Sequence, residues 1–496
     1  MRLFLAAAMA LVFVAPAANA APATTSTITW GACADQSLAA AGAECGTLSV
    51  PLNHSDPGGR KISLAVSRVK HKTTASKGTV VAVPDPLNGS GSGCQLSLLG
   101  ARVPGGDAFD WVGFARRGVA PSSPAISCQP DYLGLNAPQH IPTSPAIEQQ
   151  WLDKARGYAE ACAAKNGELL DHMKSTDIAA DVDLVRAALG ADKVSLYAQA
   201  YGTYVAQVYS TLHPERVARM VLDDSIDPRR IWYYAANFDQ NPPLQRNQDI
   251  WLKWLAEHDD VYHLGNTLDA VRQVWDEQLR RVTAQPAGGV FGQAEWINLF
   301  LYPAYTQQTW TLLGSAFSNW VHNGDAQLLI GLYGQFYLHP AAENMYGALT
   351  SLVCTDTAWP TNWNQWRADS WRTYAVAPDA TWGNTWFNAP CLFWKAKPGK
   401  PVQIDGAKVD SALLVTESLS AVAPIEGSYE VRSRYPGARL LAVRDGVNFM
   451  NTLTGNACVD NQIAAYLATG ELPARKPGRQ ADAVCAAAPA PVPPGA

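Results

Sequence analysis

Residues 194–210, VSLYAQAYGTYVAQVYS, contain a change from one kind of secondary structure to another within a few positions. The first part, residues 194–198, is short and apolar and is typical of a buried strand. A helical pattern then runs from about residue 203 to residue 213. The turn between them is AQAYG. The segment therefore predicts a strand, a sharp turn and a helix in immediate succession.

The same order of strands and helices continues on both sides of this segment. A helix at 175–190 has one apolar face, is predicted to be capped by Ser175 or Thr176, and stops at Gly190. Strands are predicted at 78–86, 109–118, 219–228, 411–418 and 438–445. Alternating strands and helices predict an α/β fold, in which a mostly parallel sheet is flanked by helices.

The stretch from residue 229 to residue 395 has a different composition. Its pattern is helical, and it contains 14 of the 17 tryptophans. We interpret it as a helical, tryptophan-rich lid inserted into the sheet domain. The predicted core therefore has two parts, residues 21–228 and 396–485, and the lid between them is residues 229–395. Residues 486–496 are predicted to be a disordered low-complexity tail.

The N-terminus predicts export. Residues 1–20 combine one early arginine, an apolar stretch and a small-residue end, so we expect a signal peptide cleaved after Ala20 and a secreted protein. The alternative is a retained membrane anchor, but the apolar run is short and is interrupted by Pro16. No other stretch is apolar for long enough to span a bilayer.

Nine cysteines in an exported chain indicate disulfide bonds. Connectivity cannot be derived from a sequence, and pairing sequence neighbours is a hypothesis that gives Cys33–Cys45, Cys128–Cys162, Cys354–Cys391 and Cys458–Cys485. Cys94 is left over. It is either a replacement thiol nucleophile or a buried or differently paired cysteine. The spacings contain no zinc motif, so we expect no metal and no cofactor.

The charge of the chain limits its partners. The net charge is −5, and the sequence contains no run of lysine or arginine that would form a basic patch. Binding to nucleic acid or to an anionic membrane is therefore not expected. With 48% hydrophobic residues, the chain can bury a sizeable core. We also expect the protein to be a monomer.

Three segments resemble one known family. Residues 188–228 read ALGADKVSLYAQAYGTYVAQVYSTLHPERVARMVLDDSIDP, residues 111–124 read WVGFARRGVAPSSP, and residues 465–474 read AYLATGELPA. These segments resemble the secreted tripeptidyl aminopeptidase and proline iminopeptidase group of α/β-hydrolases, and the resemblance covers most of the mature chain. It implies an α/β-hydrolase fold in which the turn AQAYG is the nucleophile elbow, G-x-S-x-G.

The resemblance also implies a Ser–Asp–His triad in that chain order, and an oxyanion hole of backbone N–H groups. In this sequence the three positions hold Ala200, Ser420 and Asn448. The glycine-rich oxyanion loop reads DPLNGSGSG, with Leu87 and Asn88 at glycine positions. Ala115 stands where the family usually has an acid. These replacements predict a degenerate triad.

The positions of the histidines test this reading without any alignment. All nine histidines lie at or before His339, so none follows the predicted acid strand to act as the base. One serine-to-alanine change could be a laboratory inactivation. Three replaced members and a rewritten loop indicate a natural loss of triad hydrolysis, which costs about six orders of magnitude in turnover.

Two other features are candidates for function. Asp224 follows a strand at the edge where α/β sheets bind ligands, and it is either an acid–base group in an apolar pocket or a hydrogen-bonding loop residue. Glu417 and Asp445 are weaker candidates for the same role. The lid tryptophans either fill a core or line a pocket for an apolar or aromatic ligand. The predicted pocket residues are Leu87, Asn88, Tyr201 and Trp232.

Two classes of function follow. The first is a secreted enzyme that acts on an exported small molecule without the triad, as a cyclase, isomerase or eliminase. The second is a non-catalytic protein that binds a small molecule or a peptide. Residual aminopeptidase or esterase activity is a third hypothesis. The varied, polar replacements around the elbow favour the first class.

Overall fold

The computed structural model of the protein describes residues 27–85 and 93–493. The predicted signal peptide, residues 1–20, lies outside the described residues, as do Leu87 and Asn88. Within these ranges, the fold is the predicted α/β fold: a mostly parallel sheet with helices packed against it, and a helical region inserted between two neighbouring strands.

Ten strands form one sheet in the described part of the chain. The strands are β1 (Gly31–Ala32), β2 (Glu44–Pro51), β3 (Lys61–Val69), β4 (Thr79–Val83), β5 (Asp110–Phe114), β6 (Val194–Gln199), β7 (Val217–Asp223), β8 (Ala412–Glu417), β9 (Ala438–Arg444) and β10 (Ala483–Ala486). Their order across the sheet is β1-β2-β3-β5-β4-β6-β7-β8-β9-β10.

The direction of the strands decides where a site can form. The pairs β1–β2, β2–β3 and β3–β5 are antiparallel, and all the pairs from β5–β4 to β9–β10 are parallel. The carboxyl ends of β4, β5, β6, β7, β8 and β9 therefore meet at one edge. An open α/β sheet binds its ligand at this edge.

The helices divide into those of the core and those of the inserted region. The α-helices are α1 (Gln36–Ala40), α2 (Pro145–Asn166), α3 (Ser175–Ala188), α4 (Tyr201–Leu212), α5 (Asn241–Glu257), α6 (Asp259–Tyr262), α7 (Leu268–Ala284), α8 (Gln293–Phe300), α9 (Trp310–Asn323), α10 (Ala326–Tyr337), α11 (Ala342–Asp356), α12 (Trp363–Tyr374), α13 (Thr381–Asn388), α14 (Ile425–Arg434) and α15 (Ala457–Thr469). Helices α5 to α13 all lie between β7 and β8.

The start of α3 differs from the prediction. Its N-cap is Lys174, whose N–H donates to the Asp177 carboxylate at 3.1 Å, so neither Ser175 nor Thr176 is the cap. Ser175 instead donates its N–H, at 2.7 Å, and its hydroxyl to the carboxylate of Asp356 at the end of α11. The serine therefore fastens the core helix to the inserted region.

Most of the tryptophans in the inserted region are core residues. One apolar cluster is formed within the region itself, around Trp251, Trp254, Trp275, Trp296, Trp310 and Trp320. A second group packs into the main core: Trp232, Trp359, Trp366, Trp382 and Trp386. Large aromatic side chains bury enough apolar area to give the inserted region a core of its own. The density of tryptophan therefore reflects packing more than a ligand pocket.

Four disulfides are present: Cys33–Cys45, Cys128–Cys162, Cys354–Cys391 and Cys458–Cys485. These are the four pairs of sequence neighbours. Disulfides fit an oxidising, extracellular compartment. Within residues 27–85 and 93–493, no helix combines the length and the apolar character needed to cross a membrane.

The C-terminal tail is less detached than predicted. Residue 486 is the last residue of β10, which pairs in parallel with β9. Beyond it, the indole N–H of Trp254 donates to the carbonyl of Pro491 at 3.2 Å. The prediction of a disordered tail from residue 486 is therefore wrong for its described part, which reaches the inserted region through residue 491.

Candidate active site

The turn between β6 and α4 has the backbone of a nucleophile elbow, but its tip is a methyl group. Ala200 has φ 48° and ψ −123°, a conformation that non-glycine residues rarely adopt. Its N–H donates to the carbonyl of Asp223 at 2.9 Å, and the hydroxyl of Thr203 donates to its carbonyl at 2.6 Å. These bonds hold the strained turn at the carboxyl edge of the sheet, whatever side chain residue 200 carries.

Gly202 explains why the turn can be so tight. A Cβ atom at this position would lie 2.7 Å from the carbonyl oxygen of Val83, at the end of β4. Helix α4 therefore packs against the neighbouring strand at a distance that only glycine allows. The sequence signal for the elbow lies in this glycine rather than in a serine.

The backbone N–H of Tyr201 is already bonded to a carboxylate. In hydrolases with this elbow, the N–H that follows the nucleophile stabilises the oxyanion. Here it donates to Oδ2 of Asp85 at 2.7 Å, and Asp85 is buried. Sequence reasoning missed Asp85; the available signal was an acid two residues after the end of the buried strand β4. A negative charge at this amide opposes a second negative charge developing beside it.

Asp224 is the buried carboxyl group nearest to the predicted acid position. It follows β7, with φ 58°, and its N–H donates to the carbonyl of Val415 at 2.9 Å. Its Oδ2 accepts the N–H of Met450 at 2.9 Å and the hydroxyl of Ser420 at 3.2 Å. Its Oδ1 is buried and has no hydrogen-bond partner in the part of the chain that the structure describes. The structure thus brings Ser420, from the predicted acid position, against Asp224.

The charge state of Asp224 follows from its surroundings. Burial raises the pKa of Asp224 well above its usual value, and the neighbouring carboxylate of Asp223 raises it further. Burial also raises the pKa of Asp223, whose Oδ2 accepts the amide of Gln199 at 2.9 Å and the hydroxyl of Thr452 at 2.6 Å. A protonated Asp224 has an O–H to give, because two adjacent buried carboxylates resist joint ionisation.

Asn448, at the predicted base position, is a structural link. Its N–H donates to Oε2 of Glu417, and its Nδ2 lies 3.4 Å from Oε1 of the same residue. Its Oδ1 accepts the N–H of Gln307 at 2.8 Å and the hydroxyl of Thr306 at 3.2 Å. Burial raises the pKa of Glu417. Asn448 therefore ties the loop after β9 to the inserted region. Unlike an imidazole nitrogen, its amide nitrogen has no lone pair free to accept a proton.

Trp232 and Tyr201 form an aromatic wall beside the elbow. Their ring centroids are 5.3 Å apart, and Trp232 lies equally close to Tyr204 on α4. The indole N–H donates to Oδ2 of Asp356 at 2.9 Å, and the Tyr201 hydroxyl accepts the Gln240 amide at 3.3 Å. Of the two predicted pocket residues that the structure describes, Tyr201 follows Ala200 in the chain and Trp232 packs on the Tyr201 ring.

Cys94 lies in a different environment from the elbow. Its thiol donates to the carbonyl of Ala65 on β3 at 3.4 Å, and it packs in a small apolar cluster with Leu38 and Ala115. The thiol is buried. The buried reading of Cys94 is therefore the better one. Asp445 is exposed at the end of β9, as a solvated residue is expected to be.

A cleft of about 490 Å³ opens next to these residues, between the inserted region and the loop after β9. It is lined by Arg102, Gln308, Leu453, Thr454, Gly455 and Asp460. Gln308 follows Gln307, which bonds Asn448, and Leu453 follows Thr452, which bonds Asp223. Two residues that line the cleft are therefore chain neighbours of residues that bond to the carboxyl edge. Among the described residues, no group of three His, Cys, Asp or Glu side chains could hold a metal ion.

Two family models match the chain. The one described as TAP-like protein matches residues 377–485, and the one described as alpha/beta hydrolase fold matches residues 105–325. Between them they include the elbow, the first part of the inserted region and the C-terminal strands.

Curated relatives match over most of the chain. The tripeptidyl aminopeptidase of Streptomyces lividans is 35% identical over 472 residues, which cover 92% of this chain and 87% of that protein. Serine protease Hip1 of Mycobacterium bovis is 27% identical and covers 87% of this chain and 86% of that protein. A solved structure, the proline iminopeptidase of Mycobacterium smegmatis, matches 85% of this chain and 97% of its own, with 9% identity and a TM-score of 0.36. The chain belongs to the tripeptidyl aminopeptidase-like family of α/β-hydrolase-fold proteins.

Proposed function

We propose that this protein is a secreted member of the family with a degenerate triad, which binds an exported small molecule beneath its inserted region and transforms it without hydrolysis. The reaction class is cyclisation, isomerisation or elimination. The proposed acid–base group is Asp224, and the proposed ligand is apolar or aromatic. Ala200, Ser420 and Asn448 take the positions of the lost triad.

The methyl group at the tip of the elbow is the observation that carries this proposal. Acyl transfer by this fold needs a hydroxyl at residue 200, a base to take its proton and a free amide to hold the oxyanion. Ala200 supplies no hydroxyl, the Tyr201 amide is bonded to Asp85 at 2.7 Å, and Asn448 is engaged in structural bonds. Ala200, Tyr201 and Asn448 thus each leave one requirement of acyl transfer unmet.

Asp224 supplies what a non-hydrolytic reaction needs. A buried carboxyl group with a raised pKa keeps its proton to a higher pH than an exposed one, and Oδ1 has no hydrogen-bond partner among the described residues. In a cyclisation or an isomerisation, Asp224 would give this proton to one substrate atom and regain a proton from another. Such a reaction balances without an oxidant, a reductant or a co-substrate.

One observation favours a second candidate, a non-catalytic binding protein. Asn448 joins Glu417 to residues 306 and 307, so the predicted base position serves the attachment of the inserted region rather than chemistry. A binding protein would also keep the aromatic wall of Trp232 and Tyr201. The names of the relatives, a tripeptidyl aminopeptidase and a serine protease, support a third candidate, hydrolysis.

The experiment starts with the protein purified from its own host and analysed by native mass spectrometry for a bound molecule. That molecule, or its precursor, is then incubated with the protein. We expect the wild-type protein to convert it and Asp224→Asn to bind it without conversion. Asp227→Asn, on the same loop but paired with Arg229 at 2.7 Å, is the matched control and should keep full activity.

The outcomes separate the three candidates. Binding without conversion by the wild-type protein supports the binding protein. Cleavage of tripeptide substrates, or labelling of a pocket serine by a fluorophosphonate, supports hydrolysis and overturns the proposal. Ala200→Trp should fill the space at the elbow and abolish binding while the protein stays folded. Unchanged affinity in that variant would place the site elsewhere.

A further inference from the structure

Two consecutive arginines follow β5, and they have opposite surroundings. Arg117 makes hydrogen bonds to Asp181 and to the carbonyls of Leu52 and His172, at 2.7 to 2.9 Å. Arg116 is also buried, with 1% of its surface exposed, but its Nε, Nη1 and Nη2 have no hydrogen-bond partner in residues 27–85 and 93–493. Five N–H donors on a charged group are therefore left without an acceptor.

Two carboxylates next to the elbow act on the charge of Arg116. Asp85 and Asp356 are the groups whose negative charge acts on the guanidinium. Asp85 bonds the N–H of Tyr201, and Asp356 bonds the indole of Trp232, whose ring packs on Tyr201. Both carboxylates whose charge acts on Arg116 thus bond residues of the aromatic wall next to Ala200.

Neither carboxylate accepts a hydrogen bond from Arg116. Oδ1 of Asp356 accepts the Ser175 N–H, and its Oδ2 accepts the Ser175 hydroxyl and the Trp232 indole. Burial lowers the pKa of Arg116 to about 10, against the pull of Asp85 and Asp356, so it remains charged at neutral pH. An unpaired buried charge costs several kcal/mol, which is a large cost for a fold to carry without a use.

We propose that Arg116 is an anion-binding residue that receives the carboxylate of the ligand beside Ala200. The inference rests on the proposed function, because it assigns a chemical class to the ligand of that pocket: an apolar or aromatic monocarboxylic acid. The guanidinium fork pairs with a carboxylate through two parallel N–H···O bonds. The rings of Trp232, Tyr201 and Tyr204 would cover the apolar body of the ligand.

The surrounding charges favour a carboxylate over a phosphate. The negative charges of Asp85 and Asp356 act on the same guanidinium, and each disfavours added negative charge beside it. A monoanion meets less repulsion there than a dianion. A single arginine can balance one carboxylate, whereas a phosphate dianion would need a second cation.

The experiment compares matched probes. Binding of 3-phenylpropionate, 3-phenylpropionamide and inorganic phosphate is measured at pH 7 by calorimetry and by quenching of tryptophan fluorescence. We expect the wild-type protein to bind the acid at least tenfold more tightly than the amide, and phosphate more weakly than the acid. Arg116→Met should bind the acid and the amide with equal affinity, and Arg116→Lys should keep part of the preference because it keeps the charge.

Control variants identify the cause of a loss. Arg219→Met removes an arginine that bonds the carbonyl of Leu467 at 2.7 Å, away from the elbow, and should keep the full preference. Circular dichroism checks that Arg116→Met is folded, and Arg116→Lys carries the test if it is not. Equal binding of acid and amide by the wild-type protein, no binding of the acid, or a preference that survives in Arg116→Met overturns the inference.

The failure of this inference differs from the failure of the proposed function. Equal binding of both probes removes the anion site and leaves the pocket and its chemistry in place. Tripeptide cleavage or labelling of a pocket serine overturns the proposed function, whatever the behaviour of Arg116.

Discussion

Arg117 and Asp181 form a fully buried ion pair between the end of β5 and helix α3. Nε of Arg117 donates to Oδ2 of Asp181 and Nη2 donates to Oδ1, both at 2.7 Å, and neither side chain is exposed. His54 adds a third contact, with its Nε2 3.0 Å from Oδ1. The pair fixes the turn that carries Arg116, so the position of that turn depends on Arg117.

Removing one member of this pair should be strongly destabilising. Arg117→Met leaves the Asp181 carboxylate buried without a counter-charge, and the expected cost is about 3–5 kcal/mol in urea unfolding. The double variant Arg117→Met/Asp181→Leu should recover most of that loss, because replacing both partners removes the unpaired charge. A single variant that loses less than about 1 kcal/mol would show that the pair is not what holds the turn.

Restoring the serine alone should not restore hydrolysis. Ala200→Ser adds a hydroxyl at the elbow, but no histidine lies after residue 339 to take its proton, and Asp85 still occupies the Tyr201 amide. We expect no cleavage of chromogenic tripeptides and no fluorophosphonate labelling, in an assay where a triad-bearing tripeptidyl aminopeptidase is the positive control. Labelling of the introduced hydroxyl at position 200 would mean that a base and an oxyanion hole are present after all.

The pH dependence of stability should report on Asp224. Its pKa in the folded protein is raised, mainly by burial, above the usual value of 3.8 that applies to the unfolded chain. The folded state therefore keeps a proton that the unfolded chain loses, and stability falls as pH rises from about 4 through the raised folded pKa. Asp224→Asn has no charge to bury, so its melting temperature should exceed that of the wild-type protein increasingly over this range.

The control for this prediction lies on the same loop. Asp227→Asn removes a carboxylate that is paired with Arg229 at 2.7 Å, and it should give no such growing advantage. Equal pH profiles for Asp224→Asn and the wild-type protein would contradict the assignment of a buried proton to Asp224.

Removing the Cys354–Cys391 disulfide should loosen the inserted region. The bond closes a loop with a sequence separation of 37, for which the chain-entropy model gives about 4 kcal/mol. Cys354 lies two residues before Asp356, which holds Ser175 and Trp232. The variant Cys354→Ala/Cys391→Ala should therefore lower the melting temperature and weaken ligand binding together. Unchanged binding would show that the disulfide does not hold the aromatic wall in place.

The strands and the elbow could be predicted because their signals are local. Residues 194–198 were predicted as a strand and form most of β6, and residues 175–190 were predicted as a helix and form α3. The start of α4 was placed two residues late, because the predicted pattern began at Thr203 while the elbow lets the helix begin at Tyr201. The cap of α3 was misassigned because Ser175 is used by Asp356, which is 181 residues away in sequence.

The site was less predictable because its contacts are distant in sequence. Asp85 meets Tyr201 across 116 residues, and no local pattern reports such a contact. The contrast between Arg116 and Arg117 is also invisible in FARRG, since both are buried and only their hydrogen-bond partners distinguish them. Tryptophan density left a packed core and a ligand pocket open as alternatives, and most of those rings form two packed cores. Packing and binding use the same residues, and composition alone cannot separate them.

The bonds of Asn448 bear on how a ligand enters and leaves. The inserted region leaves the sheet after β7 and returns before β8, and these strands are neighbours, so its two covalent attachments alone would act as a hinge. Hydrogen bonds to the core add further attachments, among them those between Ser175 and Asp356 and between Asn448 and residues 306 and 307, and they oppose rotation about that hinge. We therefore expect exchange through the cleft at Gln308, at a rate set by side-chain motion there rather than by opening of the whole inserted region.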